Sequence, residues 1–292
     1  MINCALIGSG YWGSKLQRYI EENENLYLKY VCNSKTNLEE IWNNKQIAAV
    51  IVATPNETHY TIIKAALEHG KHVLSEKPIV LKTIQGWELR QLSLDTQLVL
   101  MAEYTYTFSK ALQKAHVEIE KGSIGKLLSL DMSVKHLGRF GGGNVYWLLG
   151  SHMLSILDMF TPLRELELEK QDLVNINGVV ETGVIHFFNN ELSGQINISL
   201  NYPGKETKVI FYGETGTIIY SPTTHSTLQI INYQRPKWTV DIPLHLQRFH
   251  IDETNNLKYA IQGFIDGIEG KIESNIDTAV EITQILENLC QR

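Results

Sequence analysis

The chain has 292 residues, 43% of them hydrophobic and 20% charged, which is typical of a globular protein with one large or two ordinary domains. Its net charge of −6 provides no basic surface for nucleic acid, and no apolar run approaches the roughly 18 residues of a membrane span. The three distant cysteines predict neither a disulfide framework nor a metal site, and the first residues lack the pattern of a secretory signal, so we expect a cytoplasmic protein without bound metal.

Apolar runs alternate with helical patterns through the first 104 residues. The runs lack the polar alternation of a half-exposed strand, so they predict a parallel sheet that is covered by helices on both faces. The predicted strands are 3–8, 26–32, 48–53, 71–78 and 98–104, and the predicted helices are 11–22, 38–44, 58–69 and 83–92.

The pattern changes after about residue 125. Segments such as "LLSLDMSVK" and "LSGQINISLN" mostly alternate between apolar and polar residues, which predicts an antiparallel sheet with one buried face. Helices are predicted over 145–160 and, as a pair, over 257–289. The sequence thus favours an α/β Rossmann domain over 1–120 and an α+β domain with an open, largely antiparallel sheet over 121–292, the terminal helices packing on either one.

Three glycines follow the first predicted strand and open the first helix, at positions 8, 10 and 13. In a G-x-G-x-x-G loop of this context, Gly8 permits the tight turn, Gly10 lets the backbone approach a pyrophosphate, and Gly13 allows close packing of helix on sheet. We therefore predict a dinucleotide site here, with Tyr11 and Trp12 among its residues. The alternative is a sharp strand–helix turn without a ligand.

The end of the second predicted strand indicates which dinucleotide would bind. An acidic residue there would hydrogen-bond the adenosine ribose of NAD(H). This chain instead has Ser34 and Lys35, which would hold the 2′-phosphate of NADP(H), and no carboxylate stands between the end of that strand and Glu39. The sequence favours NADP(H), although a solvated loop lysine at position 35 would look the same.

Longer motifs give the chain a family resemblance. The segments "ALIGSGYWG", "VATPNETHYTIIKAALEHGKHVLSEKP" and "GSIGKLLSL" resemble the glucose–fructose oxidoreductase / inositol dehydrogenase / MocA (Gfo/Idh/MocA) family. The middle of the chain is most similar to the branch that acts on sugars and nucleotide-linked sugars. The resemblance implies tightly held NAD(H) or NADP(H), hydride transfer at a sugar carbinol or ketone, and a homodimer or homotetramer formed through the C-terminal sheet.

The resemblance also implies roles for residues on the cofactor side of the site. Glu76 should hydrogen-bond the nicotinamide ribose, and Lys77, before a cis Pro78, should sit beside the reacting oxygen. A lysine of ordinary pKa, about 10.4, is a poor base near neutrality, but burial lowers that pKa, and an ammonium can also stabilise an alkoxide. Other residues expected near the cofactor are Thr54, Pro55, Asn56 and His59.

The second catalytic element of the family is an aspartate and a histidine four residues apart on one helix. Here His152 is present, but Leu148 occupies the aspartate position. His152 is predicted to share proton transfer with Lys77, and the missing acid favours ketone reduction over alcohol oxidation. Packing of His152 in a core helix is the alternative, and a dinucleotide-binding sensor or regulator without turnover is the alternative function.

A further set of residues is predicted to contact substrate. Family members have a substrate-facing strand and loop where His136 and Arg139 lie, and Tyr104 stands at a predicted strand end. Tyrosines at such a position are as often part of the core. The sequence does not identify the substrate beyond a carbohydrate-like small molecule, and reduction of a non-sugar substrate ranks last.

Overall fold

The computed structural model describes residues 1–138, 143–234 and 242–291, and the chain divides into two compact units. The first unit comprises Met1–Phe108 and Asn255–Asn288, and the second comprises Ser109–Thr254 and Leu289–Arg292. The domain boundary predicted at residue 120 stays a prediction, whereas most of the C-terminal helical pair is grouped with the first unit.

The first unit contains a five-stranded parallel sheet of order β2-β1-β3-β4-β5. Its strands are β1 Ile2–Ile7, β2 Leu26–Cys32, β3 Ala49–Val52, β4 His72–Glu76 and β5 Leu100–Glu103. Its helices are α1 Tyr11–Glu21, α2 Glu39–Trp42, α3 Asn56–Glu68, α4 Thr83–Thr96 and α7 Asn256–Ile268, and α8 Ile276–Gln291 begins in this unit. The predicted α/β class and the five predicted strands are confirmed.

The sequence builds this sheet because its central strands are apolar on both faces. All four residues of β3 are fully buried. One core cluster joins Leu6 and Ile51 of the sheet to Leu16 of α1 and to Ile261 and Phe264 of α7. A helix from the far end of the chain therefore completes the core of the first unit.

The strand order also determines where a ligand can bind. The direction of the strand order reverses between β1 and β3. In open α/β sheets, ligands bind at such a point, in the crevice outside the carboxyl ends of the strands. The segments after β1, β3, β4 and β5 begin at this edge, and they contain the glycine loop, Thr54, Lys77 and Tyr104 respectively. The fold thus brings the predicted cofactor segments to one edge.

The second unit contains an eight-stranded sheet of order β13-β12-β11-β10-β6-β9-β8-β7. Among the described residues only the β6–β9 pairing is parallel, so the largely antiparallel sheet that was predicted is confirmed. The strands are β6 Leu127–Leu137, β7 Glu167–Ile176, β8 Val179–Phe188, β9 Ser193–Ser199, β10 Asn201–Gly213, β11 Gly216–Tyr220, β12 Leu228–Gln234 and β13 Ile242–Phe249. The helices are α5 Lys110–Glu120 and α6 Ser151–Asp158.

Several elements differ from the sequence reading. Helix α5 and strands β7, β8 and β13 were not predicted, and the helix predicted over 145–160 is divided into a π-helical turn, Tyr146–Gly150, and α6. Strand β7 is largely exposed, so it lacks the apolar face that would have marked it. Within the described ranges, no helix combines the length and the apolar character needed to cross a membrane.

The outer edge of β5, where no further strand pairs, gives a test of how the C-terminal segment supports the first unit. Asn275 accepts a hydrogen bond from the Ala102 amide (2.9 Å) and donates one to the Ala102 carbonyl (2.8 Å). Replacing Asn275 by alanine leaves both buried backbone groups without this partner, so we expect the free energy of unfolding to fall by about 1–3 kcal/mol. Urea unfolding followed by circular dichroism measures it. The exposed neighbour Glu273→Ala should change stability by less than about 0.5 kcal/mol, and equal losses in the two variants would contradict the assignment.

Candidate functional site

The glycine loop after β1 is shaped by packing at two of its three glycines. Gly8 has φ +109°, and a Cβ there would lie 2.2 Å from the Ala53 carbonyl oxygen. A Cβ on Gly13 would lie 2.0 Å from the carbonyl oxygen of Gly8. A Cβ on Gly10, in contrast, would meet no described atom within 4 Å. The first and third glycines are therefore required by the fold itself, and the second borders open space.

The start of α1 borders the same space. Gly10 is the N-cap residue, no side chain caps the helix, and its first turn holds no acidic residue. Such an N-terminus directs backbone N–H groups and the positive end of the helix dipole outward, which favours an anion. Tyr11 and Trp12 are each 45% exposed, and the Lys15 Nζ lies 4.5 and 4.7 Å from their ring centroids. A cation and two aromatic faces thus flank the helix start.

The turn after β2 presents the two residues predicted to select the dinucleotide. Asn33 Oδ1 accepts a hydrogen bond from the Lys35 amide (2.9 Å), and Thr36 Oγ1 accepts one from the Asn33 amide (3.0 Å). Ser34 and Lys35 are both exposed. These bonds hold the turn while leaving both side chains at the surface, next to β1 in the sheet.

The segment after β3 carries the Thr-Pro-Asn motif. Thr54 is half-buried and its Oγ1 accepts a hydrogen bond from Thr58 Oγ1 (2.7 Å). Pro55 is exposed and precedes α3, and Asn56 begins that helix. The motif therefore lies at the carboxyl edge of the sheet and forms the entry to α3.

His59 supports two loops. Its side chain is fully buried, with Nδ1 2.9 Å from the Pro78 carbonyl oxygen and Nε2 2.9 Å from that of Thr54. A neutral imidazole has one N–H and donates to only one of these oxygens at a time. Burial lowers the pKa of His59, against the opposing effect of both carbonyls. His59 therefore lies between the Thr54 and Pro78 backbones, and its predicted place near the cofactor stays a prediction.

The ends of β4 and β5 place three ionisable groups together. Glu76 and Glu103 are direct partners across the two parallel strands, and they are only 8% and 4% exposed. Lys77 follows Glu76, is half-buried and precedes Pro78 through a cis peptide bond, as the resemblance implied. Glu76 Oε1 is buried without a hydrogen-bond partner among the described residues. A buried acceptor in that state calls for a donor from a ligand.

Burial perturbs all three groups. Burial and the neighbouring Glu103 raise the pKa of Glu76 to about 8, with Lys77 and Lys15 acting in the opposite direction. Burial raises the pKa of Glu103 to about 7, against a hydrogen bond from Thr105 and the charge of Lys77. Burial lowers the pKa of Lys77, against both carboxylates. Groups with pKa values moved toward neutrality are typical of catalytic sites.

His152 lies in the second unit, at the start of α6. The π-helical turn Tyr146–Gly150 precedes it, so Leu148 is not one regular α-turn before the histidine as the sequence pattern assumed. Single π-turns inside helices are frequent at functional sites. Leu148 is half-buried, and a Cβ on Gly143 would lie 2.5 Å from its Cδ1. A leucine therefore fills the position where the family's aspartate would stand.

The three predicted substrate contacts have different outcomes. Tyr104 is fully buried, which agrees with the core alternative that the sequence left open. His136 is half-buried on β6, with Nδ1 3.1 Å from the Leu137 carbonyl oxygen. Arg139 lies outside the described residues. Their predicted contact with substrate stays a prediction.

Two charged residues of this edge were missed by sequence reasoning. Glu103 ends β5, and an acidic residue closing an apolar strand beside the strand that carries Glu76 would have been the signal. Lys15, on the first turns of α1, acts electrostatically on Glu76. The strand order places β5 next to β4, and the sequence alone does not give that order.

A family model described as "Oxidoreductase family, NAD-binding Rossmann fold" (GFO_IDH_MocA) matches residues 17–104. Over these residues the chain is similar to the Gfo/Idh/MocA family. Among curated proteins, the 2,7-anhydro-N-acetylneuraminate hydratase of Mediterraneibacter gnavus is 30% identical over 141 residues, which cover 44% of this chain and 38% of that protein. An uncharacterised oxidoreductase of Synechocystis is 28% identical over 70% of this chain and 62% of its own length.

Solved structures of oxidoreductases share the fold along nearly the whole chain. UDP-N-acetylglucosamine 3-dehydrogenase GnnA from Acidithiobacillus ferrooxidans superposes with a TM-score of 0.86 at 15% identity, covering 100% of this chain and 99% of that one. A 3-ketoreductase from Actinomadura kijaniata, solved with TDP-benzene and NADP, has a TM-score of 0.80 at 16% identity over 99% and 96%. In sequence, the matches span less than two fifths of the length of the first curated relatives.

The residues at the carboxyl edge of the first unit fit a dinucleotide. Open space at Gly10, the uncapped start of α1 and the buried Glu76 Oε1 offer room for a pyrophosphate, donors for its oxygens and an acceptor for a ribose hydroxyl. These three features come from the geometry of this chain alone. They agree with the binding described for the matched family.

The contrast between Gly10 and Gly13 gives a matched pair of variants. Gly13→Ala should destabilise the protein by about 1–3 kcal/mol, because its Cβ collides with backbone. Gly10→Ala should cost less than about 1 kcal/mol, since the N-cap backbone is extended, yet weaken NADPH binding about tenfold by filling the space a pyrophosphate needs. Thermal unfolding and fluorescence titration measure the two effects. Unchanged NADPH affinity in a well-folded Gly10→Ala protein would contradict a phosphate site at this loop.

Proposed function

We propose that this chain is an NAD(P)-dependent oxidoreductase that transfers hydride to or from a carbonyl or carbinol carbon of a sugar, cyclitol or nucleotide-linked sugar. The observation that carries the proposal is the pairing of Glu76 and Lys77 at the carboxyl edge of the sheet. There, a buried acceptor without a described hydrogen-bond partner stands beside the half-buried amine of Lys77. Relatives and structural neighbours whose names refer to sugars or nucleotide-linked sugars support this substrate class.

The first unit supplies the residues that would hold the cofactor. The amides after Gly10 would bind the pyrophosphate, the Thr54–Asn56 segment would border the nicotinamide half, and Glu76 would accept from its ribose. When bound, the nicotinamide supplies or accepts the hydride. The braced His59 keeps the Thr54 and Pro78 backbones in fixed relation, which preserves the positions of both segments.

Lys77 would handle the proton that accompanies hydride transfer. In ketone reduction its ammonium donates a proton to the oxygen as negative charge develops there; in alcohol oxidation its neutral amine accepts the hydroxyl proton. Burial lowers the pKa of Lys77, which favours the neutral amine, while the carboxylates of Glu76 and Glu103 favour the ammonium. The two carboxylates therefore support the reductive role of Lys77.

His152 is a second proposed proton-transfer residue, supported by the π-helical turn that precedes it. Because Leu148 replaces the aspartate, no carboxylate at that position fixes the tautomer or charge of His152. This is a further argument for reduction over oxidation. It is also the observation that favours the second candidate function, a sensor or regulator that binds dinucleotide without turnover.

NADP(H) is the proposed cofactor form. The exposed Ser34 and Lys35 follow β2, where an acidic residue would mark NAD(H), and the turn holds both side chains at the surface. The three distant cysteines support a cytoplasmic location.

The eight-stranded sheet offers a broad surface, which supports a homodimer or homotetramer formed through it.

Lys77→Met tests the catalytic assignment. We expect the NADPH-dependent reduction rate on keto-sugars to fall about 10²–10⁴-fold, because general acid catalysis is lost, while the dissociation constant of NADPH changes less than about threefold. The exposed Lys45→Met is the matched control and should keep the wild-type rate. A Lys77→Met rate equal to wild type rejects the mechanism; NADPH binding by wild type without turnover of any carbonyl or alcohol tested favours the sensor.

Lys35→Ala tests the cofactor form. Loss of the ammonium from a 2′-phosphate site should weaken NADPH binding about tenfold, or about 1.4 kcal/mol, and leave NADH binding unchanged. Isothermal titration with both dinucleotides measures the ratio, and Lys45→Ala controls for a general charge effect. Equal changes for NADPH and NADH would show that Lys35 does not read the 2′-phosphate.

A further inference from the structure

Glu76 and Glu103 form a carboxyl pair that the strand register imposes. They are direct partners on neighbouring parallel strands, each two residues beyond a core residue, Leu74 and Met101. Because side chains alternate along a strand, both carboxyls lie on the same face as that core, the face that packs against α1 and α7. Strands in a sheet are about 4.8 Å apart, so the two groups are neighbours.

The two carboxyls have different surroundings. Glu103 is anchored: Thr105 Oγ1 lies 2.8 and 2.9 Å from its two oxygens, and its single hydroxyl proton serves one of them at a time. Glu76 Oε1 has no described hydrogen-bond partner. One member of the pair is thus fixed by the protein, and the other has an oxygen available to a ligand.

Charge around the pair comes from the segment after β4 and from α1. Lys77 acts on both carboxyls and Lys15 of α1 acts on Glu76. From α3, the buried His59 contacts the backbone carbonyl of Pro78. A buried ammonium is costly unless it has an opposite charge nearby. If Glu76 is used by a ribose hydroxyl, Glu103 is the carboxylate left to balance Lys77.

We propose that Glu103 is a positioning residue whose anchored carboxylate holds Lys77 as an ammonium and leaves Glu76 for the cofactor. The inference deepens the proposed function and rests on it. Glu103 itself acts through Lys77 and Glu76. It is therefore distinct from the residues that would touch cofactor or substrate.

The proposal has a direct consequence for titration. Burial and Glu103 raise the pKa of Glu76 to about 8, above its ordinary value of 4.5. A carboxyl whose folded pKa is raised stabilises the folded state fully at pH below 4.5, and this contribution is lost as pH rises toward 8. In Glu103→Gln the repulsion is gone, so Glu76 should titrate at lower pH, and Lys77 should also lose its proton at lower pH.

The experiment combines two measurements on Glu103→Gln, the rescue variant Glu103→Asp and the exposed control Glu273→Gln. The first follows the carboxyl carbons of ¹³C-labelled glutamate by NMR in the dinucleotide-free protein, with Glu76→Gln assigning the Glu76 signal. The second is the pH–rate profile of NADPH-dependent reduction. We expect Glu103→Gln to lower the Glu76 pKa and the alkaline limb of the profile by about one unit, a tenfold change in proton affinity, with Glu103→Asp and Glu273→Gln close to wild type.

The outcomes separate this inference from the proposed function. A Glu76 pKa and alkaline limb that do not move in Glu103→Gln overturn the inference, whatever the enzyme does. A wild type that neither binds nor oxidises NADPH contradicts the proposed function, while the NMR titration still decides whether Glu103 acts on Glu76. If Glu103→Gln does not fold, Thr105→Val keeps the carboxylate without its anchoring bond, and the Glu103 pKa should then rise; an unchanged value would overturn the anchor.

Discussion

The structure of the first unit brings three ionisable groups together at the carboxyl ends of β4 and β5. Glu76 and Glu103 are buried and Lys77 is half-buried, so desolvation works against every charged form. The register pairs the two carboxyls, which repel one another when both are ionised, and chain order places Lys77 beside them. The backbone geometry of β4 and β5 thus determines the electrostatics. A shift of one residue in their register would move one carboxyl to the opposite face of the sheet.

Around that cluster, some motif residues are required by packing and others remain accessible. Gly8 and Gly13 let backbone meet backbone, and the ring nitrogens of His59 each lie 2.9 Å from a carbonyl oxygen of a different loop. Gly10, Lys35 and Glu76 face space or solvent, or keep an acceptor available. A single motif therefore contains residues that the fold requires and residues that remain accessible to a ligand. The local geometry of each residue distinguishes the two kinds.

Much of this was predictable from sequence. Unbroken apolar runs such as the one that forms β3 predicted the parallel sheet, and the spacing of Gly8, Gly10 and Gly13 after β1 predicted the turn into α1. Other features depend on contacts between segments far apart in sequence. The role of Glu103 requires the strand order, the role of His59 requires the fold of the Pro78 loop, and strand β7 is too exposed to show an alternating face. The π-helical turn before His152 had no sequence signal, since a helix with one inserted residue keeps the same composition.

The central claim is that a dinucleotide rests on the start of α1 and delivers its nicotinamide half to Glu76 and Lys77. A crystal structure of the protein grown with NADPH tests it most directly. The account predicts pyrophosphate oxygens against the amides that follow Gly10 and a ribose hydroxyl donating to Glu76 Oε1, with the nicotinamide ring beside Lys77. Electron density that places the dinucleotide elsewhere, or that leaves Glu76 Oε1 without a ligand donor while the nucleotide is bound, would contradict it.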